Sequence, residues 1–142
     1  MLERESDMRK AKAMAARDVA LDTTCESPLT AKRGISSDTV ENPMMTITHY
    51  SLPPGARCPR KYHVNCDMAM HLLKGRIKMV FGPNHKLEEF TIEPGDFVFT
   101  PRGEIYGISN CSDQEPAEWI ANKAIVGNVK DEGTVFVEPS GK

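Results

Sequence analysis

Three side chains in the middle of this 142-residue sequence are of types that carry proton chemistry. His63 can take a proton near neutral pH, and Tyr106 can donate one. Lys61 can stabilise an enolate as a cation, or form a Schiff base as a free amine. The plainer alternative is that Tyr106 packs its ring and satisfies its hydroxyl locally, while Lys61 points to water. A second grouping, Cys58, His63, Cys66 and His71, has the spacing C-x4-H-x2-C-x4-H. It imitates a zinc cluster but lacks the paired short spacing of a structural site. Alternation along a strand starting at Met68 also turns His71 away from Met68 and Met70.

The elements that must position these residues centre on Gly95 to Asn110, GDFVFTPRGEIYGISN. Asp96 to Thr100 mixes aromatic and β-branched residues and reads as a strand. Pro101-Arg102-Gly103 reads as a tight turn, because Pro fixes φ and Gly tolerates positive φ. Ile105 to Asn110 resumes the extended pattern and puts Tyr106, Ile108 and Asn110 on one face. Elsewhere, Met44–Leu52, Met68–Leu73, Arg76–Phe81, Leu87–Ile92, Ala117–Val126 and a last short piece, Thr134–Glu138, read as strands. Ile77, Met79 and Phe81 share one face, with Lys78 on the other. Ala56 to Asp67 reads as a loop-rich approach and Gly127 to Gly133 as a loop. Val19 to Pro43 has loop composition, with one short strand near Val19–Leu21. Met1 to Asp18 has helix propensity but only a thin apolar stripe, so it is either a short docked helix or a frayed arm. The domain boundary falls near Glu41: residues 1–40 are an N-terminal arm, partly ordered or packing on the main body, and residues 41–142 are that body. About eight short strands punctuated by Gly and Pro imply an all-β protein, a small antiparallel β-barrel or jelly roll.

Composition excludes several function classes. A net charge of −2 gives no electrostatic basis for a global nucleic-acid binder, and the local basic run Arg57, Arg60, Lys61 reads as a solvated turn. No run of about eighteen apolar residues is present, so no membrane span is expected. The charged N-terminus lacks the apolar core of a secretory signal. Cys25, Cys58, Cys66 and Cys111 form no C-x-x-C pair and read as reduced thiols of a cytosolic or nuclear protein.

Two motifs carry a resemblance to a known superfamily. Gly95-x5-Pro101-x-Gly103-x2-Tyr106-x3-Asn110 resembles the second cupin motif, and Gly55-x5-Lys61-x-His63-x4-Met68-x6-Gly75 resembles the first. A metal-binding cupin places His, His and Glu in the first motif and His in the second. This chain has Lys61, His63, Met68 and Tyr106 there, a set unsuited to Zn, Mn or Fe(II), so no metal and no cofactor are expected. The resemblance implies that Lys61, His63 and Tyr106 converge in the barrel mouth, beside Met68 and Met70, whose apolar surroundings would lower the Lys61 pKa.

Among metal-free cupins, MAMHLLKGRIKMVF and GDFVFTPRGEIYGISNCSDQEPAEWIANK are similar to the C-terminal cupin of centromere protein C. Gly95, Pro101, Gly103, Tyr106 and Asn110 carry that structural motif; His63 departs from it. The resemblance implies a non-enzymatic homodimerisation module of a kinetochore scaffold in the nucleus, with a docking surface for a centromere partner. An outward apolar surface formed by His71, Leu73, Val80 and one of Trp119 or Ile120, with Trp119 taken for the interface, would be the dimer interface, unless the N-terminal segment covers it. The alternative is a cytoplasmic, metal-independent cupin dehydratase, epimerase or cyclase using Lys61, His63 and Tyr106 on a sugar nucleotide or polyketide. A filled interior favours the first reading, and an open polar one favours the second.

Overall fold

The computed structural model describes residues 10–125 and 132–138. Among them are eleven β-strands and one 3-10 turn, Ala16–Asp18. The strands are β1 (Leu21–Glu26), β2 (Leu29–Ile35), β3 (Met45–Leu52), β4 (Arg57–His63), β5 (Cys66–Lys74) and β6 (Ile77–Phe81). They continue with β7 (Glu88–Ile92), β8 (Phe97–Thr100), β9 (Tyr106–Asn110), β10 (Ala117–Ile125) and β11 (Thr134–Phe136). One antiparallel sheet runs β1-β2-β3-β10-β5-β8 and the other β11-β4-β9-β6-β7. They pack as a jelly roll but do not close into a continuous barrel.

Alternation builds the core. Along β10, Ala117, Trp119, Ala121, Lys123 and Ile125 face inward; along β5, Cys66, Met68, Met70 and Leu72 do. Ile77 and Met79 of β6 are fully buried, as their shared face requires. The expected alternation of Tyr106, Ile108 and Asn110 also holds: all three are buried. Asn110 serves structure. Its Nδ2 donates to the carbonyls of Leu52, Pro53 and Glu115, and its Oδ1 accepts from the Ser112 amide, which ties three chain segments at one end of the sandwich.

Two segments differ from the sequence expectation. Val19 to Pro43, read as loop, contains the β1–β2 hairpin, and β2 pairs with β3 from Thr30↔Ser51 to Ile35↔Ile47. Pairing to an existing edge overrides the loop-like Thr and Ser content. Ala56 to Asp67, also read as loop, contains β4. Its register on β9 slips between Cys58↔Ile108 and Lys61↔Tyr106, leaving Pro59 in a bulge where no ladder donor is needed. The extra residue shifts parity, so that Cys58, Lys61 and His63 all face inward.

The helix considered for Met1 to Asp18 lies partly outside the described residues; residues 10–15 are not helical. Met14, Ala16 and Val19 instead line an apolar groove with Ile35, Ile47 and Ile120 on the outer face of the first sheet. The N-terminal segment therefore meets part of that outer face, at β2, β3 and β10. Residues 126–131, covering most of the expected Gly127–Gly133 loop, also lie outside the described residues.

Candidate active site

The turn between β8 and β9 fixes one wall of the site. Gly103 takes φ +86°, the left-handed conformation that the Pro-Arg-Gly sequence anticipates. Its amide donates to the His63 carbonyl at 2.8 Å, locking the end of β4 beside the start of β9. Gly107 brings the strands close, since a Cβ there would lie 2.8 Å from Arg60 Cγ. The result is that Lys61, His63 and Tyr106 converge on one cavity of about 190 Å³ between the sheets.

His63 Nε2 lies 2.8 Å from the Tyr106 hydroxyl, and its Nδ1 lies 2.9 Å from Thr134 Oγ1. The Tyr106 hydroxyl also reaches Met68 Sδ at 3.7 Å. Either imidazole tautomer satisfies both ring nitrogens. Burial, reinforced by the Lys123 charge, pushes the His63 pKa down to about 4, so the ring is neutral at pH 7. Burial pushes the Tyr106 phenol up to about 12, so it keeps its proton. A neutral base and a protonated acid thus stand in hydrogen-bond contact.

Of the two expected forms of Lys61, the structure holds the cation and not the amine of lowered pKa. Its Nζ donates to Glu26 Oε2 at 2.9 Å and sits 4.8 Å above the Tyr106 ring. Burial opposes its charge, yet the oxygens of Tyr106 and Glu26 outweigh that effect, and the pKa is raised rather than lowered. Lys61 is therefore a buried ammonium that can polarise an oxygen, not a free amine for Schiff-base chemistry.

Further charged residues at the cavity were not foreseen. Lys123 Nζ bonds the Tyr50 hydroxyl at 3.1 Å and Glu132 Oε1 at 3.0 Å. Burial opposes each charge of that ion pair, but Lys123 holds the Glu132 carboxyl down and Tyr50 and Glu132 hold Lys123 up. Arg33 also lines the cavity and pairs with Asp22 at 2.7 Å. Lys123 shares the inward parity of β10 with Ala117, Trp119 and Ala121, a parity that the expectation of an outward Trp119 reversed. Glu26 and Glu132 left no readable signal, since each comes from a segment read as loop.

The positions that the resemblance assigns to a metal do not suit one. Lys61 is an ion-paired cation, Tyr106 a protonated phenol and Met68 a soft thioether, leaving only His63. The C-x4-H-x2-C-x4-H grouping does not assemble either. Cys58 faces the core, whereas His71 stacks on Phe97 at 4.3 Å across the outer face of the first sheet. Burial raises the Cys58 and Cys66 thiols to about 12 and about 11, far from thiolate ligands. Among the described residues, no group of three or more His, Cys, Asp or Glu could hold a metal ion.

The four residues expected on one outward surface separate. His71 and Leu73 do lie on the outer face of the first sheet. Val80 alternates with inward Ile77 and Met79, so it lies on the outer face of the second sheet. Trp119 is 2% exposed, in the core 5.8 Å from the Tyr50 ring, and Ile120 takes the outward parity instead. Phe97 and Phe99 of edge strand β8, 78% and 64% exposed, join His71 and Leu73. The basic run is occupied too. Arg57 pairs with Glu138, Arg60 donates to Asn84 and the Gly82 carbonyl, and Lys61 pairs with Glu26. Among the described residues, no helix is long and apolar enough to cross a membrane.

The fold is shared with solved structures of low sequence identity. The polyketide cyclase RemF from Streptomyces resistomycificus superposes with TM-score 0.72 at 19% identity, over 92% of this chain and 88% of that one. The Schizosaccharomyces pombe Cnp3 cupin domain superposes with TM-score 0.63 at 20% identity, over 82% of this chain and 70% of that one. Oxalate decarboxylase from Bacillus subtilis gives TM-score 0.70 at 14% identity over 90% of this chain, which spans 33% of that enzyme. No curated protein matches the sequence. A sequence model described as "Cupin domain" matches residues 48–122, more than half of the chain, and the chain belongs to the cupin family.

Proposed function

We propose that this chain is a metal-independent cupin enzyme that moves a proton on a small organic molecule held between its sheets. One observation carries the reading: His63 Nε2 meets the Tyr106 hydroxyl at 2.8 Å on the wall of a cavity also lined by two buried lysines. Neutral His63 is the base that removes a proton next to a carbonyl. Tyr106 donates its proton or a hydrogen bond to the carbonyl oxygen, and the Lys61 ammonium stabilises the enolate that develops. Dehydration, epimerisation and cyclisation all share that step. The likeness in fold to a polyketide cyclase is compatible with it. The test is solvent-deuterium incorporation beside the carbonyl across a panel of enolisable ketones, followed by NMR. The wild-type protein should accelerate exchange, and His63→Gln or Tyr106→Phe should each lose about a hundredfold or more. Exchange no faster than in buffer for every ketone would reject the catalytic reading.

A second reading, a homodimerisation module of a centromere or kinetochore scaffold, is favoured by a different observation. Phe97, Phe99 and Leu73 form an exposed apolar patch at β8, an edge strand among the described residues, and unpaired edges with apolar flanks invite a second copy. The Cnp3 cupin domain is a structural neighbour, and pairing two copies would give N-terminal partners avidity. This reading carries the nuclear localisation and the centromere partner; the enzyme reading carries a cytoplasmic one. Solution mass across dilution tests it: twice 15.8 kDa in the wild type and 15.8 kDa in Phe97→Glu supports pairing through this patch, and a monomeric wild type removes it.

A further inference from the structure

We propose that the cavity takes an uncharged carbonyl compound the size of a single ring, rather than an anion, a sugar nucleotide or a fused-ring molecule. The inference rests on the small-molecule reading and narrows its substrate. Charge comes first. Three cations line the cavity, and each has a carboxylate: Lys61 with Glu26 at 2.9 Å, Lys123 with Glu132 at 3.0 Å, Arg33 with Asp22 at 2.7 Å. His63 is neutral and Tyr106 protonated, so among the described residues the site carries no surplus charge for a phosphate or carboxylate. An entering anion would either add a negative charge beside Glu26 and Glu132, which already balance these cations, or displace one of them and leave it unpaired among buried groups; both are costly.

Donor supply comes next. A lysine ammonium has three N–H donors, and Lys61 Nζ shows one hydrogen-bond partner among the described residues, Glu26. Lys61 therefore keeps donors for an acceptor oxygen of the ligand, on a wall it shares with Tyr106, whose single O–H is engaged with His63 Nε2 and Met68 Sδ until a ligand competes for it. Leu29, Met68, Met70, Ile108 and Trp119 supply apolar wall for the body of the ligand. Size completes the argument. The volume of about 190 Å³ slightly exceeds that of a cavity of roughly 150 Å³ known to hold benzene, and lies below the range of about 300 Å³ upward typical of drug-sized ligands.

The single tryptophan, Trp119, reports occupancy through its indole N–H resonance. The probes are acetophenone (one ring, a neutral ketone with an exchangeable methyl group), benzoate (the same ring as an anion) and 2-acetylnaphthalene (neutral, two rings). Acetophenone should shift the resonance saturably, with benzoate and 2-acetylnaphthalene at least tenfold weaker. In Glu26→Gln, which frees the Lys61 charge, the preference should move at least tenfold toward benzoate. Benzoate binding as tightly as acetophenone to the wild type, or 2-acetylnaphthalene binding more tightly, would overturn the inference, as would no binding by any probe. Because acetophenone enolises, deuterium entry into its methyl group is read in the same samples. Binding without exchange would sink the catalytic reading while leaving the ligand class intact. Exchange with benzoate preferred would do the reverse.

Discussion

The space between the two sheets has two unlike ends, built from the same strands. At one end, Leu52, Leu72, Ile77 and Ala117 are buried in the hydrophobic core, and Asn110 closes the rim through carbonyls and an amide. At the other, Lys61, His63, Tyr106 and Lys123 meet Glu26 and Glu132. The transition runs along individual strands: β10 passes from Ala117 and Trp119 to Lys123, β9 from Asn110 and Ile108 to Tyr106, and β4 from Cys58 to Lys61 and His63. Inward parity is kept along β9 and β10 and is reset once along β4 by the bulge at Pro59, so that the residue chemistry changes while the side chains still face the interior. One end therefore stabilises the fold, and the other spends buried volume on groups that a core does not need.

The largest expected effects test that division. Trp119→Ala, at the junction, should cost about 3–5 kcal/mol in urea denaturation through lost burial and the cavity it leaves. A loss below about 1 kcal/mol would mean the apolar end tolerates voids and does not anchor the fold. At the polar end the pattern should be non-additive. Lys61→Met alone strands Glu26 and should cost about 3 kcal/mol, whereas Lys61→Met with Glu26→Gln should recover most of it, because the pair offsets its own desolvation. Additive losses would show that each group is held by other contacts.

Acid should separate the ends further. The folded state holds His63 neutral down to about pH 4, while an unfolded histidine takes up its proton near 6.5. Between those values the unfolded chain binds more protons, so stability falls as pH drops through the window, by about 2 kcal/mol between pH 7 and pH 5. Glu132 and Asp22, whose carboxyl pKa values are lowered in the fold, add losses at still lower pH. Comparing wild type with His63→Gln isolates the histidine. Equal slopes in the two proteins would place the His63 ring in water rather than in the buried site.

The same contrast explains what was legible in the sequence. The apolar face of Ile77, Met79 and Phe81 and the Tyr106–Ile108–Asn110 run follow strict alternation, so their faces could be assigned. The Pro101–Gly103 turn was readable because few residues suit its backbone. The polar end was only partly readable. A bulge at Pro59 resets parity in β4, and Lys61 and His63 face inward only because of that slip, which no period-two pattern predicts. Glu26 reaches Lys61 from a hairpin that pairing rather than propensity stabilises. Together with the Tyr106 oxygen, that unforeseen carboxylate turns the Lys61 pKa up where the apolar surroundings alone would turn it down. Trp119 was assigned outward because the strand's parity was open between it and Ile120; burial of the larger ring decided it.

The smallest effect on stability is expected where the effect on chemistry is large. Tyr106→Phe keeps the ring that Lys61 overlies and removes only a hydroxyl bonded to His63 and close to Met68. The lost hydrogen bond should cost about 1 kcal/mol, with the His63 ring still fixed by Thr134. Ketone exchange should nonetheless fall about a hundredfold, since the proton donor is gone. Trp119→Ala should show the opposite ratio per remaining folded molecule, with a large stability loss and a smaller direct loss of proton transfer. If Tyr106→Phe unfolded the protein as severely as Trp119→Ala, the hydroxyl would be part of the core's own hydrogen bonding. The two ends would then be one structure with no site set apart from it.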